Sequence, residues 1–208
     1  MLRRLSGLAA LGVLVWAGHG TVKWLDRRNV ARHLSGAQAA YQEGRFDEAF
    51  RLVKLPSDRG LRDAQVLHGR MLHDGQGTPE PDYAAAYRLL EPGAAAGDAQ
   101  AQFLLGMMNL QGQGRARDYR AGADWSMKAA AHGHDGAMAA IGGLYLHALG
   151  VAKNEGTAYG WYLAAAARGN QAAAQKCREL RRELTATEVS AGERTAASVD
   201  AFIAQHRK

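Results

Sequence analysis

The chain has 208 residues, 47% of them hydrophobic, and its 26 basic and 20 acidic side chains give a formal net charge of +6. This size allows one domain with a substantial core and does not require a second. The basic residues are interspersed with acids and form no basic run with interleaved aromatics, so a nucleic-acid partner is not expected. The single cysteine, Cys177, excludes an intramolecular disulfide bond.

Residues 1–25 have the pattern of a signal sequence or a membrane anchor. Two arginines precede an apolar run from Leu5 to Gly18, which is the order found in signal sequences. The run is shorter than the roughly 20 residues of a free-standing membrane span, and no clear cleavage site follows it. Lys23 and Arg27 come next, and positive charge there disfavours export.

We therefore expect residues 1–25 to be an uncleaved anchor, and a cleaved signal and a merely apolar first helix are the alternatives. The first two predict a membrane-anchored or periplasmic protein, and the third predicts a cytoplasmic one. After this segment, residues 26–60 are predicted to form a degenerate lead-in pair of helices. The small and apolar residues that indicate this pair are Ala39, Ala40, Tyr41, Gly44, Phe46, Ala49 and Leu52.

Glycines recur through the middle of the chain at a period of 36 or 37 residues. The first series is Gly60, Gly97, Gly133 and Gly169. A second series is Gly77, Gly114 and Gly150. An acid or amide recurs after the second series, at Asp82, Asp118 and Asn154, and these three residues are 36 positions apart. A fixed period of this length is typical of repeat architectures, so residues 61–177 are predicted to contain three repeats.

Each repeat is predicted to be a pair of short helices joined by a glycine-containing loop. In the middle repeat, the first helix runs roughly from Asp98 to Gln111, because its apolar residues recur at helical spacing. Gly106 lies inside that helix and has an equivalent in the other two repeats, which predicts that a partner helix packs too close for a Cβ. Asp118 is the predicted N-cap of the second helix, and Trp125 is predicted to be buried there.

These positions resemble the Sel-one-like repeat, a relative of the tetratricopeptide repeat. The third repeat matches best, at Gly142, Gly143, Leu144, Tyr145, Gly150, Val151, Asn154, Ala158 and Trp161. The first repeat departs from the pattern, with His68 where leucine is expected and Leu89 where tryptophan is expected. The resemblance covers roughly residues 62–177. It implies an all-α, right-handed superhelical solenoid of helical hairpins that acts as a non-enzymatic scaffold for another protein or a peptide.

Residues 178–208 are predicted to be capping helices that end the stack. The repeat pattern reaches Cys177 and then stops, because Arg178 stands at the conserved glycine position of the pattern. Terminal repeats need a polar outer face, and a charged helix followed by a last helix supplies one. Thr185 and Glu188 have the spacing of a capping box at the start of that last helix.

No catalytic motif, phosphate loop or dinucleotide fingerprint is present, so neither an enzyme nor a cofactor is expected. His132, His134 and Asp135 fall at a turn between repeats, where a complete metal site is not expected. The alternative function comes from exported relatives with a cysteine pair in each repeat, which are linked to penicillin binding or β-lactam hydrolysis. The single cysteine of this chain disfavours that alternative.

The remaining candidate for binding is the surface that the first helices of the repeats line. The predicted binding residues on it are Arg70, His73, Met107, Leu110, Gln111, Leu146 and His147. Met107, Leu110 and Leu146 are predicted to form an apolar strip that binds a peptide. The alternative is that these three residues pack beneath the flanking helices. The sequence leaves the oligomeric state open, and self-association is a further alternative.

Overall fold

The computed structural model describes residues 28–206, and every regular element in that range is a helix. The helices are α1 (28–42), α2 (Phe46–Asp58), α3 (Arg62–Asp74), α4 (Tyr83–Ala95), α5 (Ala99–Gln111), α6 (Tyr119–Ala131), α7 (Asp135–His147), α8 (Glu155–Ala166), α9 (Gln171–Glu183) and α10 (Ala186–His206). They pair into five hairpins, of which α1–α2 is the lead-in. The predicted N-terminal apolar helix lies outside the described residues.

The hairpins stack in chain order. From α2 onward, helices up to α9 pack against the next helix along the chain, and the first helices of successive repeats also touch, α3 with α5 and α5 with α7. Three clusters of buried apolar residues follow one another along the stack. Apart from a small contact of α10 with α6, the contacts join neighbouring units. Such contacts define a solenoid, so the predicted all-α fold class is confirmed.

The glycine inside each first helix is a close-packing position. A Cβ on Gly106 would lie 2.8 Å from the Ser126 hydroxyl oxygen, and one on Gly69 would lie 2.9 Å from Leu90 Cγ. A Cβ on Gly142 would lie 3.1 Å from the ring of Tyr162. In each repeat the obstructing residue belongs to the second helix, so the predicted close approach of the two helices is confirmed.

The predicted helix caps are confirmed as well. The side chains of Asp82, Asp118 and Asn154 each accept a hydrogen bond from a backbone amide three residues later, at 2.8 to 2.9 Å. Thr185 and Glu188 form the reciprocal capping box at the start of α10: the Thr185 amide donates to the Glu188 carboxylate at 2.8 Å, and the Glu188 amide donates to the Thr185 hydroxyl at 3.3 Å.

One local prediction about the second helices is wrong. Trp161 is buried, but its equivalents Leu89 and Trp125 are only half-buried, because their helices lack the covering that α10 gives to α8. The ammonium of Lys128 lies 4.0 Å from the ring centroid of Trp125 instead. Pro56 and Pro92 lie inside α2 and α4, which have 13 residues each, as does α6.

The C-terminal helix α10 closes the stack by lying very close to α8. A Cβ on Gly160 would lie 2.4 Å from the carbonyl oxygen of Gly192, so only hydrogen atoms fit between the two backbones. The first helix of this last hairpin, α9, begins at Gln171 and ends at Glu183, so the predicted boundary between residues 177 and 178 falls inside it. Within residues 28–206, no helix is long and apolar enough to cross a membrane.

Candidate functional site

A groove of about 600 Å³ lies between α5, α7 and the start of α9 on the first-helix side of the stack. We call it the α5–α7 groove. Its lining residues are Phe103, Met107, Leu110, Gln111, Arg117, Tyr119, Gly136, Ala139, Ala140, Gly143, Leu144, His147, Leu149, Asn170 and Ala172. The volume is within the range of small-molecule and cofactor sites, which are also mostly apolar.

The groove exists because one face of α7 carries only small residues. Gly136, Ala139, Ala140 and Gly143 line it, and their spacing of 3, 4 and 7 residues from the first places them on one side of a helix. The equivalent positions one repeat earlier hold Gln100, Phe103, Leu104 and Met107. Where α5 carries long side chains, α7 therefore leaves open space.

The opposite wall consists of apolar side chains of α5, and His134 supports one end of it. Phe103, Met107 and Leu110 form this wall. The ring of Phe103 stacks on the imidazole of His134, with a centroid separation of 4.4 Å and an interplanar angle of 22°. His134 precedes α7 and packs against this wall residue, so the protonation state of His134 affects the position of Phe103.

His134 is the N-cap of α7. Its Nδ1 accepts a hydrogen bond from the amide of Ala137 at 3.2 Å, and its Nε2 lies 3.3 Å from the side-chain oxygen of Gln100. An accepting Nδ1 requires the neutral imidazole with the proton on Nε2. Burial lowers the pKa of His134, while the nearby carboxylates of Asp135 and Asp98 act in the opposite direction.

The other end of the groove, at the C-terminal ends of α5 and α7, is polar. Gln111, Arg117, Tyr119 and His147 lie there. Arg117 is exposed and donates a hydrogen bond to the Tyr119 hydroxyl at 3.3 Å. Among the described residues, no carboxylate lies within ion-pair distance of Arg117, and none of the groove-lining residues is acidic.

The structure brings together four of the seven predicted binding residues. Met107, Leu110, Gln111 and His147 all line the α5–α7 groove. Arg70 lines a separate and more polar groove of about 270 Å³. Its guanidinium lies 5.0 Å from the ring centroid of Tyr41 in that groove.

The other two predicted residues serve the internal packing. His73 hydrogen-bonds Asp74 at 2.7 Å and Gln113 at 3.2 Å. Leu146 packs against the buried cluster of the C-terminal half, which is the alternative that the sequence left open. Met107 and Leu110 of the predicted apolar strip line the groove, whereas Leu146, half-buried like them, does not.

Sequence reasoning missed the small-residue face of α7, the wall residue Phe103 and the polar residues Arg117 and Tyr119. The signal for α7 was present, because aligning the repeats in register reveals four small residues where the other first helices have larger ones. The capping role of His134 was missed too. Its register equivalents are Asp98 and Asn170, which are N-caps of α5 and α9.

The remaining reactive side chains belong to the core. Burial raises the pKa of the Cys177 thiol to about 11, so it is protonated and inert at neutral pH. His68 is buried and lies 3.0 Å from the Ser57 hydroxyl, as expected for a hydrogen-bonded core histidine. Within the described part of the chain, no three His, Cys, Asp or Glu side chains converge on a point that would hold a metal ion.

Comparison with known proteins agrees with this architecture. The family model of the Sel1 repeat matches residues 62–98, 99–134 and 136–170, which together make up more than half of the chain. These segments coincide with the three hairpins from α3 to α8. No curated protein sequence matches the chain.

Two solved structures share the fold. The crystal structure of a Sel1 repeat protein from Oxalobacter formigenes matches with a TM-score of 0.60 and 22% identity, over 73% of this chain and 62% of the other. The second is c5321, a protective antigen present in uropathogenic Escherichia coli strains that displays an SLR fold. It matches with a TM-score of 0.57 and 20% identity, over 76% of this chain and 42% of the other. The chain therefore spans less than two thirds of either protein.

Proposed function

Because the chain belongs to the Sel1 repeat family, we propose that it is a scaffold that binds a segment of another protein in the α5–α7 groove. Sel1 repeat proteins are typically protein-interaction scaffolds and are generally non-catalytic. The observation that carries the proposal is the small-residue face of α7, which opens an apolar groove on the first-helix side of the stack.

The chemistry of the groove supports a peptide ligand. One wall is apolar, through Phe103, Met107 and Leu110, and one end offers the polar groups of Gln111 and His147. Apolar surface provides most of the binding free energy, while a few placed polar groups fix the orientation of the ligand. A side chain that enters the groove occupies the space that Met107 fills in the preceding repeat.

We also propose that the scaffold is presented at the cell envelope by residues 1–25. The support is the sequence order of two arginines followed by the apolar run from Leu5 to Gly18. In this arrangement the stack begins soon after the anchor, since α1 is described from residue 28.

Photocrosslinking tests the binding face. A photoreactive amino acid is placed at position 107 in the full chain, expressed in its host, and the adducts are identified by mass spectrometry. We expect one recurrent partner from position 107 and the same partner from position 147, because both side chains line the groove. The matched control replaces Met127, an exposed methionine of α6 that does not line the groove.

The control distinguishes specific binding in the groove from non-specific hydrophobic contact. The proposed face is wrong if position 127 yields the same partner as strongly as position 107. An adduct between two copies of this chain would indicate self-association through the groove instead of a scaffold for a different protein.

A reporter fusion tests the envelope location. Alkaline phosphatase, which is active only outside the cytoplasm, is fused after Leu25, and a fluorescent reporter that is active in the cytoplasm serves as the counterpart. We expect phosphatase activity in the membrane fraction, because an uncleaved anchor carries the reporter across and retains it. Activity of the cytoplasmic reporter alone would contradict the envelope proposal.

A further inference from the structure

The polar end of the α5–α7 groove has a specific charge pattern. Arg117 is the only lining residue with a permanent charge, and within residues 28–206 its guanidinium has the Tyr119 hydroxyl as its hydrogen-bond partner, at 3.3 Å. Arg117 also lies over the Tyr119 ring, 5.8 Å from its centroid. Arg115, two residues earlier, is held more closely, since it donates to the Tyr87 hydroxyl at 2.7 Å and lies 4.9 Å from that ring centroid. Most of the donors of Arg117 therefore remain open to a ligand.

The backbone carbonyl groups at this end are partly occupied. Helix C-termini present carbonyl groups that attract cations, and here the chain's own amides bond to several of them. The amide of Gln113 donates to the carbonyl of Met108 at 2.9 Å, and the amide of Leu149 donates to the carbonyl of Leu144 at 3.0 Å. The amide of Asp118 donates to the carbonyl of Asn109 at 2.9 Å.

The charged end of the groove adjoins its apolar part. Gly136 and Gly143 mark the ends of the small-residue face, and seven helical residues rise about 10 Å. Phe103 stands at the far end, while Arg117 stands beyond Leu110 and Gln111 at the near end. A ligand that fills the apolar part therefore places its next group beside the guanidinium.

From this arrangement we propose that the groove selects protein segments in which apolar side chains are followed, at the charged end of the groove, by a carboxylate that pairs with Arg117. The inference rests on the proposed function, because it names the chemistry of the segment that the scaffold binds. Arginine and carboxylate form two parallel charge-assisted hydrogen bonds. A basic segment would meet like charge at Arg117 and no acidic lining residue.

A random peptide library displayed on phage tests this selection. It is selected on the immobilised full chain and counter-selected on the Gly143→Leu variant, whose added side chain occupies the groove. A Cβ at Gly143 meets only the Tyr162 hydroxyl, at 3.5 Å, so this variant is expected to fold. We expect the enriched peptides to combine apolar residues with aspartate or glutamate.

Synthetic copies of the enriched peptides then isolate the role of the charge, with affinities measured by fluorescence anisotropy. We expect Arg117→Gln to weaken binding about tenfold and Arg120→Gln to leave it unchanged. Arg120 is the matched control, since it is an exposed arginine outside the groove lining. Replacing the peptide's glutamate by glutamine is expected to cost the same tenfold, with no further loss on the Arg117→Gln variant.

The outcomes separate this inference from the function on which it rests. Peptides that need an open groove but lack acids, or that bind Arg117→Gln as tightly as the wild type, would overturn the carboxylate selection and leave the scaffold proposal standing. If no enriched peptide loses affinity for the Gly143→Leu variant, both the selection and the groove as a binding face are overturned.

Discussion

Replacing Gly160 with leucine is expected to destabilise the fold by about 3 kcal/mol, since added volume in a packed interface forces backbone shifts. A Cβ there would lie 2.4 Å from the carbonyl oxygen of Gly192 and 2.5 Å from Thr195 Cβ. Backbone atoms cannot rotate away as a flexible side chain can. Helix α10 would therefore separate from α8 and expose the buried Val199 and Ile203.

The matched control is the same substitution at Gly143, also a glycine inside a helix. Its Cβ would meet only an ordinary contact at 3.5 Å, and leucine is favoured over glycine in a helix interior by about 1 kcal/mol. Chemical denaturation followed by circular dichroism should give a much lower midpoint for Gly160→Leu and an equal or higher one for Gly143→Leu. Equal midpoints for the two variants would contradict the close packing of α8 and α10.

Acidification from about pH 7 to about pH 5 is expected to lower the free energy of unfolding, because His134 caps α7 in its neutral form. Its pKa in the folded chain is lowered by burial, so the unfolded chain binds the proton more readily. The stabilisation is complete above the unfolded pKa of about 6.5 and is lost as the pH falls toward the folded pKa. A protonated Nδ1 is a donor and cannot accept the hydrogen bond from the amide of Ala137. Loss of this N-cap is expected to destabilise the fold by about 1 kcal/mol.

Thermal unfolding at a series of pH values checks this expectation in three proteins. His134→Asn keeps a capping oxygen, as Asn170 does for α9. The midpoint temperature of this variant should therefore fall less steeply with decreasing pH than that of the wild type. His68, whose pKa is also lowered by burial, contributes to the part of the pH dependence that remains. His132→Asn, at an exposed neighbouring position, should leave the wild-type slope intact, and a slope unchanged by His134→Asn would refute the capping role.

Much of the scaffold followed from spacing alone, for a physical reason. A cap such as Asp118 accepts a hydrogen bond from an amide three residues away, so the local sequence is enough to predict its role. The glycine that recurs inside each first helix, at Gly69, Gly106 and Gly142, predicts close-packed helices because a missing Cβ has few other uses there. In a repeat protein, a feature found in one unit recurs in the next, which turns a weak local signal into a strong one.

The candidate site followed from the sequence only in part, because its residues come from two repeats and the start of α9. Met107, Leu110, Gln111 and His147 were identified from their helix face and meet in the groove. Leu146 was placed on the same face but packs, half-buried, against the C-terminal cluster and does not line the groove. The prediction of an N-terminal anchor concerns residues outside the described range and stays a prediction.

The sequence by itself determined the repeat, its period, its caps and its close-packed glycines, because those depend on neighbours within one hairpin. Only the tertiary structure decided what lies between hairpins. These features are the α5–α7 groove, the unopposed charge of Arg117 at its end, and the close packing of α10 against α8. These features depend on side chains that meet across about 36 residues of chain, the length of one repeat. No local pattern specifies which of them fill the space and which leave it open.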